Sequence, residues 1–283
     1  MSVSNSNKSI KIDLNIGDQL TSISCGHIVV ELIKFIAYQR LQIPYTYQWL
    51  KQVINKRKAC EDLREGYQSE RHFFVASTAL SNLDFIIKSL LKEIDSHSIP
   101  EEICIILGAS PFTCKEVYRL ILPRACHKQQ CHSSHIASDQ KIQMNVFKTL
   151  VTSEKLSQIF FSTLLPTNMF IFIKKNILNN QDVVCLDTFV SVDGWKIPRS
   201  CKVVSLDFRT ENVQNISCCN EFQIFGDAIS KKVDRLNIEE EEPDFNEIES
   251  TDEARWFQSS YIMKGFKDCV VDGSSVTNTW LKS

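Results

Sequence analysis

The sequence predicts an α+β fold in which helices pack on a mainly antiparallel sheet. Three observations carry this. Apolar residues recur at helical spacing in three separate stretches within the first 160 positions. From residue 168 onward the texture changes to short runs rich in β-branched and aromatic residues. The two kinds of segment follow one another instead of alternating, which argues against a parallel, doubly wound sheet.

Residues 1–21 are polar and read as a flexible tail, with organisation beginning at Ser22. Between residues 28 and 41, Ile28, Val29, Leu32, Ile33, Phe35 and Ile36 form one helical stripe, and Pro44 marks the stop. Gln39 is anomalous. At about 100° per residue it projects between Ile28 and Leu32, so its amide lies inside the apolar sector and requires an internal or external partner. Beyond residues 45–50, the charged stretch 55–69 reads as a loop. A second helix spans residues 69–94, with Phe73, Ala76, Leu80, Leu83, Ile87, Leu90 and Ile94 in steps of three and four. Phe74, Ala79, Ile86 and Leu91 widen this face beyond a two-stranded coiled-coil seam, so it reads as a central helix covered on more than one side.

Residues 103–108 form a compact apolar strand, and Ser110-Pro111 reads as the opening of a helical turn containing Val117 and Tyr118. A third helix, capped near Ser138 or Asp139, carries Ile142, Val146, Phe147, Leu150 and Val151 and continues through Leu156, Ile159 and Phe160. Strands are expected over residues 168–174, 183–192 and 201–209. Residues 212–253, with the acidic run Glu239-Glu240-Glu241-Glu242-Pro243-Asp244, read as a solvated insertion. Apolar character returns at Trp256-Phe257-Gln258 and lasts through Tyr261, Met263 and Phe266. The expected organisation is one domain over residues 22–268 and a tail over 269–283.

Composition narrows the function. Lys and Arg number 32 against 34 Asp and Glu, giving a net charge of -2, so no global basic field is available to neutralise nucleic-acid phosphates. Eleven cysteines would suit a disulfide-rich secreted chain, but the first residues are Ser/Asn-rich without a signal-like apolar run. Reduced thiols in an intracellular protein follow, with Cys104, Cys185 and Cys201 acting as small hydrophobes. The sequons at Asn7 and Asn215 then carry no meaning. No segment approaches the roughly 20 apolar residues of a membrane span. Cys126, His127, Cys131, His132 and His135 have zinc-type donors, but they crowd one loop without the second separated pair of a structural site. Vicinal Cys218-Cys219 lacks an evident cation to lower a thiol pKa. Lys56-Arg57-Lys58 is too short for a nuclear signal. Gly-rich phosphate loops, nucleophile elbows and His-Glu-x-x-His are absent, and only eight glycines are available. No enzyme, cofactor or metal is expected.

Two blocks are more specific: Glu31-Leu32-Ile33-Lys34 with Tyr38-Gln39-Arg40-x-Gln42-x-Pro44 and Leu50-Lys51, and Trp256-Phe257-Gln258 with Lys264-Gly265-Phe266. Between them lie Ile105-x-Leu107-Gly108, Lys115-Glu116-x-Tyr118, Phe147 and Trp195-Lys196-Ile197-Pro198. In this order they resemble the comet family of Mad-two-binding proteins of the spindle checkpoint. The resemblance implies a HORMA-like fold whose C-terminal segment, with Trp256, Phe257, Gln258, Lys264, Gly265 and Phe266, wraps the body as a belt. It implies an adaptor that binds the closed conformer of Mad-two and presents it to an AAA-type remodelling ATPase of the pachytene-checkpoint family, dismantling the mitotic checkpoint complex. The partner face would comprise Gln39 and Phe147, with Phe35, Arg40 and Lys148 beside them. Nucleus and cytoplasm, with the spindle in mitosis, are the implied locations, without nucleic acid or membrane as partner.

Three departures accompany the resemblance. The N-terminal extension that engages the ATPase is short, Ser191-Val192 stands where a Pro-Lys pair is expected, and the acidic insertion and the tail are additional. Other classes are a generic HORMA module that captures peptides, and a zinc- or thiol-dependent protein using the loop from Cys126 to His135.

Overall fold

In a computed structural model, residues 9–14, 16, 20–59, 66–96, 99–123, 136–176, 188–208, 254–271 and 273–282 are described. The sheet is built outward from β2 (Glu102–Gly108), all seven of whose residues are buried. Its odd and even residues serve different cores. Ile103, Ile105 and Leu107 join the main core beneath the helices, whereas Cys104 and Ile106 join a second cluster with Val117, Phe170, Phe172, Trp195 and Cys201. This explains why the strand reads as a continuous apolar run and not as an alternating one.

β3 (Cys114–Ile121) and β4 (Asn168–Asn176) pair antiparallel with β2. β6 (Lys202–Asp207) adds parallel to β3, and β1 (Ser9–Asp13) parallel to β6. On the other side, β7 (Ala254–Ser259) pairs antiparallel with β4 and β5 (Phe189–Ser191) with β7, while β8 (Met263–Lys264) pairs with β4 beyond the end of β7. The eight-stranded sheet is mainly antiparallel, as expected.

α1 (Ser22–Gln39) opens with a capping box: Thr21 Oγ1 accepts from the Ser24 amide at 3.0 Å, and the Thr21 amide donates to Ser24 Oγ at 2.9 Å. It closes earlier than Pro44. Leu41 takes φ +54°, its amide bonds to the Tyr38 carbonyl and the Gln42 amide to the Ala37 carbonyl. That is a Schellman ending with leucine in the place glycine usually takes. α3 (Tyr67–Ile94) buries Ala76, Ala79, Leu80, Leu83, Ile86, Ile87, Leu90 and Ile94, while Phe74 is exposed. By length and composition alone α3 qualifies as a membrane-crossing helix, against the expectation that no segment comes near; its apolar side meets α1, a second helix and β8.

Several expectations are corrected. The stretch 55–69 is not all loop, because α2 (Tyr47–Ala59) runs into it: Leu50, Val53 and Ile54 face inward and the basic run Lys56-Arg57-Lys58 forms its last turn. Cations there complement the helix dipole, so charge density misled the reading. Val117 and Tyr118 belong to β3 and not to a helical turn. Pairing with β2 and β6 on both sides overrides the helix-like start at Ser110-Pro111. The N-terminal tail is not flexible throughout. Ile10 and Ile12 alternate in β1, Ile12 is buried, and Leu14, Ile16 and Leu20 are buried after it. α4 (Ile136–Thr152) already includes Ser138 and Asp139, and α5 (Glu154–Phe161) follows, capped by Ser153. Only residues 189–191 of the expected strand 183–192 are described as strand. The described residues of the tail also fold, as the strand pair β9 (Val270–Val271) and β10 (Ser274–Ser275) followed by α6 (Val276–Lys282). The Cys126–His135 cluster, Cys185, Cys218-Cys219 and the acidic run lie outside the described residues.

Candidate partner-binding face

The last two turns of α1 meet α4 and α5. Phe35 is half-buried and stands edge-on to Phe147 of α4, with ring centroids 5.6 Å apart, and to Phe160 of α5, 5.9 Å apart. Gln39 lies one turn beyond Phe35 and is half-buried. The angular sector that is core at Ile28 and Leu32 therefore emerges to the surface at Phe35 and Gln39. Tyr38 and Leu41 are exposed beside them.

On α4, Ile142, Val146 and Leu150 are buried as expected, but Val151 is exposed. Met144, Phe147, Lys148 and Val151 follow spacings of three and four and form one stripe, in which Met144 is 73% and Val151 67% exposed and Phe147 half-buried. These open apolar side chains sit on a helix otherwise anchored in the core, beside the half-buried Phe35 and Phe147 pair. The sequence does not single out Met144 and Phe161, and Phe160 reads there only as part of the helix, not as part of this face. Their signal was two adjacent phenylalanines ending a short amphipathic helix, and a methionine outside the buried stripe.

Arg40 lies elsewhere. It is 2% exposed, its Nε and Nη2 donate to the two carboxylate oxygens of Glu116 at 2.8 and 2.7 Å, and its Nη1 donates to the carbonyls of Ile159 and Ser162 at 3.2 and 2.9 Å. The guanidinium is thus spent inside the chain, while Lys148 is solvent-exposed on α4.

Gln42 links the two diagnostic blocks. Fully buried, it donates from Nε2 to the Arg40 carbonyl at 2.6 Å and accepts at Oε1 from the Thr167 amide at 2.8 Å. The amide of Phe266 donates to the Gln42 carbonyl, and that of Gly265 to the Thr167 carbonyl. A Cβ on Gly265 would come within 2.7 Å of Gln42 Oε1 and 2.8 Å of the Thr167 carbonyl oxygen, so the crossing admits only glycine. Phe257 and Phe266 are buried, Trp256 and Gln258 half-buried, and Lys264 exposed. Trp195 lies in the second core, 4.5 Å from Phe172 and 4.8 Å from Trp256 between ring centroids.

The blocks that precede residue 169 accord with comparison to known proteins. A family profile described as "p31comet: Mad1 and Cdc20-bound-Mad2 binding" matches residues 15–169, more than half of the chain. The chain belongs to the p31comet family. A mouse (Mus musculus) relative, MAD2L1-binding protein, is 30% identical over 103 residues, covering 35% of this chain and 37% of that protein. The matched p31comet region contains α1 to α5, hence the whole aromatic face, and ends as β4 begins.

The described thiols of this p31comet chain are buried or half-buried. Burial pushes the Cys104 thiol well up, raises Cys114 to about 12 and raises Cys201, so all three are protonated at neutral pH. Among the described residues no group of three His, Cys, Asp or Glu side chains converges as a metal site.

Proposed function

We propose that this chain is a non-enzymatic adaptor that binds the closed conformer of Mad-two through the face of α1 and α4 centred on Phe35, Gln39 and Phe147, with Lys148 at its edge. The exposed stripe on α4 beside a half-buried aromatic cluster carries the reading, since a large aromatic in a partly desolvated setting is the typical anchor of an interface. The p31comet family's description and the mouse relative's name supply the partner class. We further read the fold as HORMA-like, with residues 256–266 as its belt, and the adaptor as handing Mad-two to an AAA-type ATPase to silence the checkpoint in nucleus and cytoplasm and on the spindle. Among HORMA readings, permanent closure is favoured over peptide capture, because β7 and β8 already pair with β4 and Gln42 locks the Gly265 crossing.

Titration of purified protein with closed and open Mad-two tests the first step. Saturable binding of the closed form alone is expected, and equal or absent binding of both would refute it. Stimulation of ATPase-driven closed-to-open conversion tests the second.

A further inference from the structure

We infer that Arg40 is a positioning residue for the partner face: it holds α5 against α1 so that Phe160 braces Phe35 where that ring meets Phe147. The inference rests on the adaptor reading and concerns how its site is shaped. α5 is short, eight residues, and an isolated helix of that length has no stability of its own in water. The Ile159 carbonyl accepts from the Ser162 amide and hydroxyl, and the Arg40 guanidinium adds a donor to it and to the carbonyls of Phe160 and Ser162 beyond. A cation at a helix C-terminus also complements the dipole. The charge is itself fixed by Glu116 on β3, which is 3% exposed and also accepts from the Tyr118 hydroxyl at 2.9 Å.

A chain of contacts therefore runs from the central sheet through Glu116 and Arg40 to the end of α5. Phe160, in that end, touches Phe35 across 5.9 Å and lies 5.9 Å from the Arg40 guanidinium carbon. Lys202 Nζ also reaches Ser162 Oγ at 3.3 Å, but from the exposed side, so without the guanidinium the carbonyls of Phe160 and Ser162 lose their buried donor and the braced side of Phe35 opens. Arg40 need never touch the partner to govern its affinity.

Two variants test this, Arg40→Met and the double variant Arg40→Met with Glu116→Gln. The second leaves no unpaired buried charge and keeps an acceptor for Tyr118, so it folds even where the first does not. Amide hydrogen exchange at residues 157–162 should rise at least tenfold over the change in β2 and β4, with no partner present. Affinity for closed Mad-two should fall at least tenfold, and a double-mutant cycle with Phe147→Ala should be less than additive, because the loosened cluster has already lost part of what Phe147 contributes. Unchanged exchange at 157–162 overturns the inference whatever happens to binding. So does full affinity with a loosened α5, or strict additivity. Failure of the wild-type chain to bind Mad-two would instead sink the adaptor reading, while the exchange result still decides whether Arg40 positions α5.

Discussion

The side chain that most needs its surroundings is Asp268. Burial pushes its pKa up, but hydrogen bonds from Ser275, Thr277 and Tyr45, the last at 2.7 Å, together with His72, outweigh this and hold it below the ordinary range. His72 has Nε2 3.4 Å from Asp268 Oδ1; its burial lowers its pKa, only partly opposed by that carboxylate. Both groups bind protons more readily unfolded, so their contribution is complete above about pH 6.5 and is lost as pH falls, first through His72 and then through Asp268. The melting temperature should therefore drop between pH 7 and 5, and His72→Gln should flatten that limb; an unchanged limb would mean the pair does not govern acid stability. Gly265→Ala should lower stability by about 2 kcal/mol, since the backbone contacts it meets cannot move aside. Thermal unfolding checks it, and an unaltered melt would show that the crossing relaxes. For the partner face, Phe147→Ala should cost about 2 kcal/mol of binding, roughly thirtyfold in Kd, with Gln39→Ala weakening it further. A large fall in melting temperature with normal binding would make both residues core.

At the scale of elements, α6 shows how a short helix is anchored by one large residue beside the buried Val276 and Thr277. Trp280 is fully buried, stacks on His72 at 5.5 Å, meets Phe73 edge-on at 5.5 Å, and donates from its indole nitrogen to Ser69 at 3.0 Å. Lys56 of α2 donates to the Leu281 carbonyl near the helix end. Trp280→Ala should cost about 3–5 kcal/mol, the range for emptying a buried aromatic site. Denaturant melts check the size, and a change below 1 kcal/mol would show the helix to be dispensable. The end of α1 is a second case. Leu41 sits in the left-handed region, where a Cβ costs about 1–2 kcal/mol, so Leu41→Gly should preserve or raise the melting temperature although glycine ordinarily lowers it. A clear loss would mean that the leucine side chain contributes packing despite its 54% exposure.

For the whole molecule, removing the chain from Trp256 onward would strip β7 and β8 from β4 and Phe257 and Phe266 from the main core. Apolar burial on that scale rivals a domain's total stability of 5–15 kcal/mol, so the truncated chain should not melt cooperatively. Cooperative melting at an unaltered temperature would show the segment to be peripheral. The sequence by itself determined the elements whose periodicity is strong and local: α1, α3, the buried stripe of α4, β2, β4 and β6. It also determined the α+β class and, through the spaced blocks between Glu31 and Phe147, the family. Only the tertiary structure decided the rest. α2 was hidden because its charges face solvent beside a buried triplet, β3 because its strand character comes from neighbours far along the chain, and α6 because one tryptophan is uninformative until His72 and Ser69 are brought to it. Arg40 is the sharpest case. Sequence places it one residue from Gln39 on the same motif, yet Gln39 reaches the surface and Arg40 turns inward, because its partner Glu116 lies 76 residues away on a strand that folding alone sets beside it.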